Sequence, residues 1–110
     1  MRYPASFLDE IRARLPASAV VVTDEPGFAW RAGRRVPDSM VDISVKQFDQ
    51  GRITERDVVR AAFARDACAV LVTSDERLGR FPDLASRLAR GDYRTVWRDG
   101  DRRLLLRPCR

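Results

Sequence analysis

The sequence predicts a three-layer, Rossmann-like α/β sandwich, with a mostly parallel sheet of about five strands that ends in an antiparallel hairpin and helices on both faces. Three observations lead there. Residues 18–23 (SAVVVT) and 67–73 (ACAVLVT) are short, apolar and rich in β-branched side chains, the pattern of strands buried on both faces. Segments with apolar residues at helical spacing alternate with these runs. Near the C-terminus an Asp-Gly pair, Asp99 and Gly100, separates two strand-like runs, the strongest short signal for a hairpin.

Each element has its own local grounds. Residues 6–15 form an amphipathic helix with Phe7, Leu8, Ile11 and Leu15 on one face; Ser6 with Asp9 resembles a capping arrangement and Pro16 stops it. The first strand, 18–23, runs into Thr23, Asp24 and Glu25. A helix then starts at Pro26, because proline suits a first helical turn, turns Phe28, Ala29 and Ala32 inward and ends at Gly33. A second strand falls within 36–44, best placed at 40–43, and the polar stretch 45–53 reads as a loop around Gly51. Thr54 caps the next helix with Asp57, and Val58, Val59, Ala62 and Phe63 make its apolar face. The third strand is 67–73. A helix at 82–89 buries Leu84, Ala85 and Leu88 and ends by Gly91; strands at 93–98 and 102–107 close the chain. No repeat, low-complexity stretch or linker interrupts residues 1–110, so a single soluble α/β domain is expected.

Composition narrows the function. The net charge is +5, and every basic residue but Lys46 is arginine. The arginines are scattered and mostly near Asp or Glu, which fits a solvated surface and not a nucleic-acid face. Attraction to anionic lipid headgroups is the other reading of this charge. The longest apolar runs, 19–22 and 67–72, fall far short of the ~20 residues of a membrane span. Pro4, Asp9, Glu10 and Arg12 break any signal-peptide pattern.

The chain has no histidine, which removes imidazole acid–base catalysis and leaves Ser18, Ser39, Ser44 and Ser74 without a triad partner. Two cysteines without histidine make no zinc site. Gly27, Gly33 and Gly51 stand apart, so no phosphate-cradling loop is present and no cofactor is expected. Trp30 and Trp97 have rings that stack sugars or bases, although such residues more often pack half-buried on the sheet. Cys68 opens the third strand and Cys109 follows the last. If the fourth strand runs parallel to the third, the hairpin returns Cys109 to the end of the sheet where Cys68 lies. A bridge then needs Cα atoms within about 7 Å; one buried thiol and one terminal thiol is the commoner arrangement.

In open parallel sheets ligands sit beyond the carboxyl ends of strands. Thr23, Asp24 and Glu25, then Asp42 and Ser44, then Thr73, Ser74 and Asp75 occupy such ends here. Clustered carboxylates suit a magnesium-dependent nuclease, and LVTSDERL resembles the strand of a PIN-type nuclease followed by an acidic residue. That family also wants an acidic residue on a strand at the N-terminus and another on a central helix. This chain opens with a helix, and its central helix offers only Glu55 and Asp57, at the cap. The same residue types more often cap the following helix.

A second resemblance covers nearly the whole chain. Thr23, Asp24 and Pro26 make a T-D-x-P element at a strand end; Ala32, Gly33, Arg34, Arg35, Val36 and Pro37 make A-G-R-R-V-P; Val41, Asp42 and Ser44 make V-D-x-S; a hairpin closes the chain. In this the sequence resembles the C-terminal extracytoplasmic domain of bacterial membrane glycosyltransferases that use polyprenyl-phosphate sugars, the relatives of protein mannosyltransferases and aminoarabinose transferases. The resemblance implies an accessory, non-catalytic domain at the outer face of the inner membrane, supporting sugar transfer by a membrane-embedded catalytic portion. That family's catalytic acid lies in a loop between membrane helices, with no counterpart here, so the resemblance implies no catalytic residue and no metal site. It implies a supporting role for Asp24, Trp30, Arg34, Arg35, Asp42 and Lys46. A protein-interaction module is the remaining alternative.

Overall fold

The structure is a computed structural model that describes residues 3–40 and 44–109. Its helices are α1 (Tyr3–Arg14), α2 (Pro26–Arg31), α3 (Val45–Asp49), α4 (Glu55–Ala62) and α5 (Leu84–Ala89). Its strands are β1 (Val20–Thr23), β2 (Ala67–Val72), β3 (Arg94–Asp99) and β4 (Arg102–Leu106), and short 3₁₀ turns occupy Asp38–Met40 and Leu78–Arg80.

Among the described residues the sheet has four strands in the order β1-β2-β4-β3. Of these strands, β1 and β2 pair parallel; β2 with β4, and β4 with β3, are antiparallel. This corrects the expected five-strand, mostly parallel, Rossmann-like sandwich, for two physical reasons. First, the described part of the segment expected to supply another strand, 36–44, forms none: Arg35, just before it, makes a single bridge to Val20, and the chain then turns through Asp38–Met40. Pro37 has no N–H to donate to a ladder. The rest of the placement at 40–43 lies outside the described residues. Second, the hairpin inserts its second strand, not its first, beside β2. Leu104, Leu105 and Leu106 of β4 are buried, while β3 carries Arg94, Arg98 and Asp99 and takes the edge, where charge discourages further pairing.

Helices cover both faces of the sheet. On one face Val20, Val22, Val70, Val72 and Leu105 pack with Phe48, Val58, Ala62, Leu84 and Leu88 of α3, α4 and α5. On the other, Val21, Ala69, Leu71, Leu104 and Leu106 pack with Ile11 and Leu15 from the α1 side and Ala29 and Ala32 from the α2 side. Every residue of β1 and β2 is therefore buried, which explains why these runs show no polar alternation.

Several local signals in the sequence are realised in the structure. Thr54 Oγ1 accepts from Asp57 N–H at 3.2 Å and Asp57 Oδ2 accepts from Thr54 N–H at 3.0 Å, a reciprocal cap on α4. Pro26 sits in the first turn of α2, and Gly33, with φ 71°, follows its end. Gly100, with φ 59°, makes the hairpin turn. Residues 45–53, expected as a loop, contain α3. Its one buried residue, Phe48, is too little for a readable period, yet it anchors the helix against Phe81 with ring centroids 5.9 Å apart. α5 begins at Leu84 and leaves Ala85 exposed, contrary to expectation, since so short a helix buries only the pair Leu84 and Leu88. Trp97 is half-buried, but Trp30 is 57% exposed and does not pack on the sheet.

Cys68 and Cys109 form a disulfide with Cα atoms 5.3 Å apart, so the expectation of two separate thiols is overturned. The cause is strand order. With β4 beside β2, Ala69 pairs with Leu106 and Arg107 N–H donates to the Cys68 carbonyl at 3.0 Å, which delivers Cys109 to the start of β2.

Candidate functional site

The parallel pairing of β1 and β2 brings their carboxyl ends side by side, and Asp24 stands at that edge, fully buried. Its Oδ1 accepts from the Thr73 backbone N–H at 2.9 Å and the Thr73 hydroxyl at 2.7 Å. Its Oδ2 accepts from the N–H groups of Ser74 and Leu78, each at 3.2 Å. Arg77 Nη1 donates to the Asp24 carbonyl at 2.8 Å and reaches Glu25 at 3.7 Å. Burial pushes the Asp24 carboxyl above its ordinary value, against the opposing pull of the bonds from Thr73, Leu78 and Ser74. Four donors occupy the roughly four lone-pair sites of a carboxylate, which leaves none for a ligand. Asp24 is thus neither a helix cap nor a metal ligand. It fastens the loop after β2; Glu25, without a side-chain capping bond, holds the cap position of α2.

The other residues singled out from the sequence do not converge on Asp24. Arg34 donates to the carbonyls of Ala32 and Leu15, each at 2.8 Å, and so ties the ends of α2 and α1 together. Arg35 donates to the Ser18 carbonyl at 3.1 Å and to Asp66 at 3.3 Å, near the opposite, amino end of β1. Trp30 and Lys46 are exposed, on α2 and α3. Asp42 lies outside the described residues.

Among the described residues, clefts lie beside the sheet at two places that carry charged side chains on their walls. A larger one, of about 550 Å³, lies at the amino ends of β1 and β2, with Arg35, Asp38, Arg52, Asp57 and Arg60 on its walls and Val20, Met40 and Ile53 on its apolar side. The Asp57 carboxyl there is held below its ordinary value by the backbone and hydroxyl of Thr54, with Arg60 and Arg56 adding to the effect. A smaller one, of about 250 Å³, lies beside the hairpin turn and the loop after β2, lined by Asp75, Gly79, Arg98, Gly100, Asp101 and Arg103. Neither Arg98 nor Arg103 was legible as a site residue. They flank the Asp-Gly turn, but their meeting depends on the strand register. Among the described residues no group of three or more His, Cys, Asp or Glu stands close enough to hold a metal ion.

No helix among the described residues is long and apolar enough to cross a membrane. No protein-family model, curated protein or solved structure matches this chain.

Proposed function

We propose that this chain is an extracytoplasmic, non-catalytic accessory domain of a membrane glycosyltransferase that draws sugar from a lipid-phosphate carrier. The observation that carries the reading is the Cys68–Cys109 disulfide. Such bridges form and persist in oxidising compartments and are rare in the cytosol, where thiols are kept reduced. The roles of the motif residues support it. Asp24 of T-D-x-P and Arg34 of A-G-R-R-V-P both bind the protein's own backbone, as expected of a domain whose motifs preserve a shape and carry no chemistry of their own. The occupied Asp24 carboxylate weighs against the nuclease alternative. The exposed Trp30 and Lys46 are then the members of the set that meet the membrane-embedded portion or the headgroups around it.

Protease treatment of spheroplasts, together with a sugar-transfer assay on membranes, tests the reading. The tagged chain is expected to be digested without rupture of the inner membrane, and transfer from a polyprenyl-phosphate sugar is expected to fall when the chain is deleted. Full protection in intact spheroplasts overturns the compartment. Metal-dependent RNA cleavage by the purified chain overturns the non-catalytic role.

A further inference from the structure

The geometry points to a binding site for a phosphate-type oxyanion in the smaller cleft, between the guanidinium groups of Arg98 and Arg103. Three observations converge there. Arg98 of β3 and Arg103 of β4 are directly paired in the ladder, on the sheet face that also carries Val72 and Leu105. Like charges opposite each other across strands are destabilising, and among the described residues no carboxylate comes within ion-pair distance of either one. The Arg103 Nε is buried and has no hydrogen-bond partner among the described residues. A buried, unpaired donor carries a desolvation cost that native proteins rarely leave unmet.

Comparison within the molecule sets Arg103 apart. Arg34 and Arg77 also bury an unpartnered Nε, but both spend other guanidinium nitrogens on backbone carbonyls. The side chains of Arg103 and Arg98 make no hydrogen bond or ion pair among the described residues. Two unspent planar forks on one wall of a cleft of about 250 Å³ match the several acceptor oxygens of a phosphate. Asp75 and Asp101, on the same walls, balance the two guanidiniums in number. The cleft therefore selects an oxyanion by short-range paired donors and not by a long-range positive field. The site stands on this geometry alone. A solute phosphate ester and the phosphodiester of an anionic lipid headgroup present the same chemistry to it, and only the lipid source draws on the functional reading above.

Titration of the 110-residue chain with inorganic phosphate, followed by NMR at the arginine Nε–H groups, tests the site. Saturable shifts are expected at Arg103 and Arg98. Binding is expected to weaken by about tenfold or more in Arg103→Gln and in Arg98→Gln, the loss of one charge-assisted bond, and to stay unchanged in Arg94→Gln on the same strand. Arg98 is exposed on an edge strand, so its variant carries the test if Arg103→Gln fails to fold. Flotation with phosphatidylcholine vesicles, with and without phosphatidylglycerol, separates the sources. Binding to the anionic vesicles that phosphate competes away, and that Arg98→Gln abolishes, assigns the lipid; phosphate binding without flotation assigns a solute. The absence of any saturable shift, or equal shifts in the wild type and both folded glutamine variants, overturns the site and leaves the spheroplast test of the functional reading untouched.

Discussion

Asp24 and Thr73 stand 49 residues apart in sequence and are joined twice: the amide and the hydroxyl of Thr73 both donate to Asp24 Oδ1, at 2.9 and 2.7 Å. With the bonds from Ser74 and Leu78, a single carboxylate locks the carboxyl ends of the parallel pair. Asp24→Asn keeps one acceptor oxygen but turns an amide donor toward the N–H groups of Ser74 and Leu78. The expected loss is about 2–3 kcal/mol, the cost of unpaired buried donors. Urea denaturation reads it as a lower midpoint at an unchanged slope. A wild-type midpoint in Asp24→Asn would refute this role.

Two aspartates respond to pH in opposite senses. The Asp24 carboxyl is raised by burial, so the native state holds its proton more tightly than the unfolded chain. Its contribution is present below the unfolded value and is lost as pH rises through the raised folded one. The Asp57 carboxyl is lowered by its bonds with Thr54, so its contribution is present above the unfolded value and is lost as pH falls through the depressed folded one. Acidification is therefore expected to fray the start of α4 while the loop from Thr73 to Leu78 stays closed. Amide exchange at Asp57 and Val58, compared with Thr73 and Leu78 below pH ~4, checks the contrast; earlier exchange in the loop contradicts it.

The bridge between Cys68 and Cys109 closes a segment with a sequence separation of 41. A loop of that length implies about 2–4 kcal/mol of stabilisation through the unfolded chain. Reduction, or the double change Cys68→Ser with Cys109→Ser, is expected to lower the unfolding free energy by that amount. Mass spectrometry without reductant should find no free thiol; two free thiols remove both this prediction and the support for an oxidising compartment.

A packed aromatic site lies behind β2. The Phe63 ring meets Tyr93 edge-on at 5.6 Å, and the Arg107 guanidinium lies over both rings, at 5.2 and 5.5 Å. The Tyr93 hydroxyl donates to the Ala62 carbonyl at 2.6 Å, and burial holds its pKa up to about 12. Gly91 abuts this ring so closely that an added Cβ would overlap Phe63. Gly91→Ala is expected to cost about 1–3 kcal/mol by overpacking, and Tyr93→Phe about 1 kcal/mol for the lost bond. Thermal denaturation compares them; an unperturbed Gly91→Ala would show that Phe63 has room to move.

Arg98 separates stability from binding. Arg98→Thr removes a like-charge pair and adds a β-branched residue to a strand, so stability is expected to rise by roughly 0.5 kcal/mol. The same change should weaken phosphate binding. Reduced stability in Arg98→Thr would mean that the two arginines do not repel each other in the folded chain.

Much of this molecule follows rules that act over a few residues. The apolar runs of β1 and β2, the reciprocal cap of Thr54 and Asp57, Pro26 and Gly33 at the bounds of α2, and the Asp-Gly hairpin are all readable because each depends on near neighbours in the chain. Strand order is not of that kind. It is set by which strand of the hairpin buries more apolar surface beside β2, and Leu104, Leu105 and Leu106 outcompete the charged β3. From that choice come the disulfide, since Cys109 reaches Cys68 only alongside β2, and the meeting of Arg98 with Arg103. The use of Asp24 as a fastener likewise depends on donors 49 to 54 residues away, which no local pattern announces. Short-range chemistry placed the elements; competition for buried area between distant segments placed the candidate site.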